Sequence, residues 1–328
     1  MIFTTDVACG AKALSQGKLV AFATETVYGL GADATNPAAV GRIFSTKGRP
    51  VGHPLIVHVA SVDSAIAWCD PSEAQAEMLA VLSDSFWPGP LTIILPRSVL
   101  AAPQTVGGLT TIGLRVPSHP VALELLGQFG GGIAAPSANR FGKVSPTTAQ
   151  HVVDDLGSEV DVVLDGGPCE VGVESTIVSL VDDQPVLLRA GGVTRVQLAA
   201  ALGMPVLAVA DSQAPTVKAP GMLRSHYAPD AEVELIGASD IEARLASAAC
   251  DGSNTVGVVA PFEVGHRPSW ILPDDSRGYA QRLYEVLRQA DSANVDILLV
   301  VPPTGGDLVE AVGDRLCKAA SPRPASSR

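Results

Sequence analysis

Five short stretches carry residue types that could do chemistry, and in each a cation or a hydroxyl stands where an apolar run ends. "ATETVYGLGADA" (23–34) places Thr24, Glu25, Thr26 and Tyr28 before Gly29 and Gly31. "TKGRPVGHPLIVHV" (46–59) sets Lys47 and Arg49 in a Gly/Pro loop, where two cations can clamp a polyphosphate, and puts His58 on an apolar strand. "TTIGLRVPSHP" (110–120) holds Thr111 and interrupts an apolar run with Arg115, which must find an anionic partner or reach solvent. "IAAPSANRFGKVSP" (133–146) carries Ser137, Asn139, Lys143 and Ser145 beside two prolines and a glycine, so it is a loop, and its hydroxyls, amide and cation suit an anion. "GVESTIVSLV" and "VLLRAGG" add Ser175, Thr176 and Arg189.

Each stretch taken alone has an ordinary explanation. Ser, Asn, Gly and Pro make turns, Lys47 and Arg49 read as a solvated surface pair, His58 as a buried structural histidine and Arg115 as half of a salt bridge. The chain shows no Ser-His-Asp order, His-x-x-x-His pair, close carboxylate dyad or Walker lysine. Recurrent cations and hydroxyls suit the binding and electrostatic stabilisation of a phosphorylated reactant better than covalent catalysis.

The elements that must position these residues are strands and helices in mixed order. "KLVAFAT", "LIVHVA", "LTIILP", "VVLDGG" and "STIVSLV" have strand length and β-branched content. Helices are expected over 6–16, 38–45, 71–83, 120–126 and 147–156. Several strands between 161 and 188 leave no room for a helix, which predicts a mixed sheet. The Pro- and Ser-bearing stretch 210–230 reads as a linker. Beyond it "EVELIGA", "TVGVVAP" and "DILLVVPP" alternate with helices near 240–249, 278–290 and 308–320, which predicts a small Rossmann-like parallel sheet over 231–320 before a frayed tail, 321–328.

At 328 residues the chain suits two domains, and 47% hydrophobic with 17% charged residues indicates a compact fold. The net charge of -12 gives no general attraction to nucleic acid or anionic lipid. Five cysteines without a C-x-x-C pair point to neither a zinc knuckle nor a disulfide framework and fit a reducing cytoplasm. With no apolar run of roughly 18 residues and no leader-like N-terminus, a soluble, cytoplasmic protein without membrane association is expected.

Taken in order, "TETVYGLGADA", "KGRPVGHPLIVHV", "FWPGPLTIIL", "GLRVPSHP", "APSAN" with "SPTTAQHV", and "GVESTIVSL" with "LRAGG" resemble the YrdC-like family of threonylcarbamoyl-adenylate synthases over roughly residues 10–195. "APGMLRSHYAPDA" resembles the linker of the family's two-domain form. The resemblance implies a YrdC-like twisted mixed sheet with flanking helices over 1–209, followed by the smaller domain. It also implies the reaction: L-threonine, bicarbonate and ATP give threonylcarbamoyl-AMP and pyrophosphate. Separate tRNA-modifying proteins then use the intermediate on the adenosine next to the anticodon.

Position by position, the resemblance puts Lys47 and Arg49 at the nucleotide phosphates, and Ser137, Asn139 and Ser145 in the loop that holds the nucleotide. Arg189 and Tyr227 join the nucleotide side. Thr24, His58, Thr111, Arg115 and Ser175 line the threonine and carbamate side, with Arg115 as the carboxylate partner. Mg2+ is implied as the counterion of ATP, with no dedicated carboxylate cage visible. The chain departs from its relatives at Leu223, Arg224 and Ser225, where a more basic run is usual, and at Ala23 and Ala190, where proline is common. Two other readings compete. An RNA-binding module is opposed by the acidic charge and the lack of a basic, aromatic stripe, which also argue against direct tRNA binding. A carbamoyltransferase of the hydrogenase-maturation type would bring acylphosphatase and zinc-finger parts.

Overall fold

The computed structural model describes residues 1–182, 184–209, 217, 219–220, 227–251 and 255–322. Most of the expected linker and tail, with Arg224 and His226, therefore lies outside the described residues. The chain divides into two units, 1–141 with 146–222 and 142–145 with 223–328.

The first unit is built on eleven strands: Ile2–Thr4 (β1), Val20–Phe22 (β2), Gly29–Asp33 (β3), Ile56–His58 (β4), Leu91–Pro96 (β5), Thr111–Arg115 (β6), Ile133–Ala134 (β7), Val162–Leu164 (β8), Thr176–Ser179 (β9), Val186–Arg189 (β10) and Leu207–Ala208 (β11). Their order is β1-β8-β2-β3-β7-β4-β6-β5-β9-β10-β11. The sheet is mixed: β4 with β6 and β5 with β9 are parallel, whereas β2 with β3 and β5 with β6 are antiparallel. β2 is apolar throughout because both its faces are covered. Ala21 joins one core cluster, while Val20 and Phe22 join another with Leu14, Leu125 and Leu126.

"GLGAD" looks like a turn by composition, yet it forms β3. Its glycine is a packing requirement: a Cβ on Gly31 would meet Ile133 Cγ2 and Phe22 Cε1, each at 2.8 Å.

Helices flank the sheet: Val7–Ser15 (α1), Pro37–Lys47 (α2), Val62–Ile66 (α3), Glu73–Phe86 (α4), Pro120–Phe129 (α5), Ala149–Leu156 (α6) and Arg195–Leu202 (α7). α2 shows how sequence sets an end. Asn36 caps it by accepting from the amides of Ala38 and Ala39, Pro37 starts it, and Gly48 stops it in the left-handed conformation at φ 62°. Lys47 is thereby fixed as the last helical residue.

The second unit carries four parallel strands, Glu232–Leu235 (β12), Val256–Ala260 (β13), Ser269–Ile271 (β14) and Ile297–Val300 (β15), in the order β12-β15-β13-β14. Helices Ile241–Asp251 (α8), Ser276–Ser292 (α9) and Val309–Ala319 (α10) complete it. The parallel sheet is the one expected, widened by the edge strand β14. Among the described residues no helix is long and apolar enough to cross a membrane.

Candidate active site

Lys47 is not the solvated surface charge of the ordinary reading. It is 3% exposed, and its ammonium donates to the carbonyl oxygens of Ser137 and Asn139, both at 2.6 Å, and to Asn139 Oδ1 at 3.3 Å. Ser137 Oγ in turn donates to Asn139 Oδ1 at 2.5 Å. These partners are neutral, and no carboxylate lies within ion-pair distance of Lys47 among the described residues. Burial, reinforced by the nearby charge of Arg49, holds its pKa well below the usual lysine range. Arg49 is also buried: Nη2 donates to the Pro54 carbonyl at 3.2 Å, and the guanidinium stands 5.8 Å from the Phe141 ring centre.

A third cation lies at the end of β6. Arg115 donates from Nε to the Gly89 carbonyl at 3.2 Å and from Nη2 to Thr26 Oγ1 at 3.0 Å, and Nη2 is 2.7 Å from Glu25 Oε1. Thr24 secures this turn, since its hydroxyl donates to the Val27 carbonyl at 2.6 Å and lies 2.8 Å from Thr26 Oγ1. His58 is the register partner of Arg115 on β4. Burial and the Arg115 charge push its pKa down to about 3, so the imidazole is neutral, and its Nδ1 is buried without a hydrogen-bond partner.

The fourth cation, Arg189, ends β10. Nε donates to the Ser175 carbonyl and Nη2 to Ser175 Oγ, both at 3.0 Å, and Ser175 Oγ is 2.8 Å from Thr92 Oγ1. Thr92 and Thr111 line one cleft with Ile56, Gly113, Ile177 and Pro220. The Ser175 loop is held by close backbone approach, because a Cβ on Gly191 would stand 2.3 Å from Thr176 N and 2.4 Å from Glu174 O.

Thr24, Lys47, Arg49, His58, Thr111, Arg115, Ser137, Asn139, Ser175 and Arg189 all fall in the first unit. Ser145 and Tyr227 fall in the second, where Ser145 is fully buried. Tyr227 is 1% exposed, stacks on Tyr284 at 6.0 Å between centroids and carries the Arg315 guanidinium 5.0 Å above its ring. The expectation of Tyr227 beside the nucleotide thus meets a ring engaged in packing. The sequence alone assigns no role to Glu25, Thr26 or Thr92. Thr92 carries little signal, since threonine is an ordinary strand former in "PLTIIL". Glu25 carries one, as a charged residue directly after the apolar run "KLVAFAT".

No group of three or more His, Cys, Asp or Glu side chains gathers to hold a metal among the described residues. What the site offers is buried positive charge at strand ends and a helix end, fixed by neutral oxygens at Lys47 and Arg189 and partly by the Glu25 carboxylate at Arg115. Such an arrangement orients and neutralises an anionic reactant.

Fold and site define a two-unit α/β protein with buried cations at the strand ends of a mixed sheet. A family model described as "Telomere recombination", covering the Sua5, YciO and YrdC proteins, matches residues 12–191, and the chain belongs to that family. A second model, described as the C-terminal domain of threonylcarbamoyl-AMP synthase, matches residues 193–321. The threonylcarbamoyl-AMP synthase of Pyrococcus abyssi is 41% identical over 318 residues, 94% of this chain and 92% of its own. That of Bacillus subtilis is 40% identical over 331 residues, 97% and 94% of the two chains. The crystal structure of Pyrococcus abyssi Sua5 complexed with L-threonine superposes with a TM-score of 0.90 at 39% identity and covers 97% of both chains.

Proposed function

We propose that the chain is an L-threonylcarbamoyladenylate synthase, converting L-threonine, bicarbonate and ATP to threonylcarbamoyl-AMP, pyrophosphate and water. Relatives of that name, about 40% identical over nearly the whole chain, support the activity. The observation that carries it in the site is Lys47, a buried ammonium bound by neutral carbonyls, which a polyphosphate would complete.

The threonine amine takes up carbon dioxide or bicarbonate as a carbamate. A carbamate oxygen then attacks the α-phosphorus of ATP, and the bond to the pyrophosphate oxygen breaks. Displacement of this kind needs alignment and charge neutralisation more than a protein nucleophile. Lys47, Arg49 and Arg189 are assigned to the phosphates, with Ser137, Asn139 and Ser145 holding the nucleotide. Arg115 is assigned to the threonine carboxylate, with Thr24, His58, Thr111 and Ser175 around the carbamate. Mg2+ is assigned to ATP as the counterion of its phosphates, the usual partner of this cation in nucleotide sites. We place the reaction in the cytoplasm, where tRNA-modifying proteins would consume the product.

The test is pyrophosphate release by the purified protein with and without L-threonine and bicarbonate. Release that requires both additions and collapses in Arg115→Ala is expected. Release independent of threonine overturns the reading.

A further inference from the structure

Arg115 and Lys47 sit in opposite electrostatic settings. Lys47 has no carboxylate within ion-pair distance among the described residues, whereas Arg115 is met by Glu25, and both side chains of that pair are 4% exposed. Both oxygens of Glu25 are buried and accept no well-aligned hydrogen bond, so the charge of Arg115 is the interaction that keeps the acid there. A buried carboxylate without hydrogen bonds is costly, and neither helix capping nor sheet pairing accounts for it. The other titratable groups that sense Arg115 do not offset it. His58 is neutral, and burial pushes the Cys169 thiol up so that it keeps its proton. Arg115 commits Nε and Nη2 to the protein and leaves Nη1 without a partner among the described residues.

We propose that Glu25 is a specificity-determining positioning residue: by cancelling the charge of Arg115 in advance, it makes the amino-acid subsite select a zwitterion over a simple anion. The proposal rests on Arg115 receiving the threonine carboxylate. A carboxylate added to a neutral Arg115–Glu25 pair leaves a buried net negative charge. A zwitterion brings its own ammonium and leaves none. The same cancellation keeps ATP and pyrophosphate off this subsite and directs them to Lys47. The two reactants are thus sorted by net charge before any chemistry.

The test compares L-threonine with (R)-β-hydroxybutyrate, which is threonine without its amino group, by calorimetric titration of the wild type, Glu25→Gln and Glu25→Asp. The wild type is expected to prefer threonine by more than about tenfold. Glu25→Gln is expected to lower that ratio at least about tenfold, losing affinity for threonine and gaining it for the hydroxy acid, while Glu25→Asp keeps the preference. A purely structural role would weaken both ligands alike and leave the ratio unchanged, which overturns the proposal. Equal binding of the two ligands by the wild type overturns it as well, and this outcome decides the matter if Glu25→Gln does not fold. A wild type that binds no threonine removes the assignment of Arg115 itself, so the two failures are told apart.

Discussion

The ammonium of Lys47 lies 2.6 Å from the carbonyl oxygen of Asn139, 92 residues further along the chain. That bond joins the C-terminal end of α2 to the loop after β7, so the buried cation and the polar loop are held together. A cation at a helix C-terminus is also favoured by the helix dipole.

Lys47→Met keeps an unbranched side chain only slightly shorter and removes its charge. It leaves the Ser137 and Asn139 carbonyls without their donor and takes away the positive charge assigned above to the phosphates. Pyrophosphate release is expected to fall about 100-fold, the loss typical of one electrostatic donor. Threonine affinity of the ATP-free protein should stay within about twofold. Lys47→Arg should not restore activity, because a planar fork cannot replace a compact ammonium inside a cage of carbonyls. Full activity in Lys47→Met would remove the lysine from the phosphate site.

Much of this assembly is legible in the amino-acid sequence, and the parts that are not share a cause. Two prolines bar most of residues 133–146 from regular structure, and strand-length runs bounded by Thr24, Arg115, Ser175 and Arg189 mark where polar groups gather. The burial of Lys47 is invisible there because the oxygens that surround it come from a distant loop. β3 is hidden for the same reason, since the approach of Ile133 and Phe22 to Gly31 is a cross-sheet fact that no local window contains. α3 has five residues, too few for a helical period to emerge, whereas α7 carries a capping box, Thr194 with Gln197, which is a local signal for a helix start. Tyr227 enters the nucleotide side only through the family resemblance, and the packing partners of its ring, Tyr284 and Arg315, come too far along the chain for a local reading to find them.

His58 makes stability depend on acid. Its folded pKa of about 3 lies below the ordinary value of 6.5, so between these values the unfolded chain binds a proton that the folded chain does not. The stability it contributes is complete above pH 6.5 and is lost as the pH falls toward about 3. At pH 5 the loss amounts to about 2 kcal/mol. Urea unfolding at pH 7 and pH 5 checks it: His58→Asn should show a drop between the two pH values smaller than the wild type's by about that amount. An identical drop in both proteins would mean that the histidine titrates normally.

Gly191→Ala tests whether the Ser175 loop is positioned by backbone contact. The added methyl would meet backbone atoms of Glu174 and Thr176, which cannot yield as a flexible side chain does. Overpacking of this kind destabilises by roughly 1–3 kcal/mol. Because Ser175 accepts from Arg189 and pairs with Thr92, its displacement should also raise the KM for threonine more than it lowers kcat. Chemical denaturation together with threonine titration of the activity separates the two effects, and unchanged values of both would show that the loop has room.

Tyr227 offers a test within the second unit alone. Its ring is buried between Tyr284 and the Arg315 guanidinium, and its backbone sits at φ 61°, a left-handed conformation unfavourable for a bulky side chain. Such strain persists only where surrounding contacts outweigh it, so the aromatic packing must exceed the backbone penalty. Tyr227→Ala removes the packing and keeps the strain, and should destabilise the second unit by about 3–5 kcal/mol, the range for deleting a buried aromatic ring. Tyr227→Phe retains the stack and the cation contact and should therefore lose clearly less stability than Tyr227→Ala. Hydrogen exchange of the β13 and β15 amides reads the second unit directly, and protection unaltered in Tyr227→Ala would show that the ring is not part of its core.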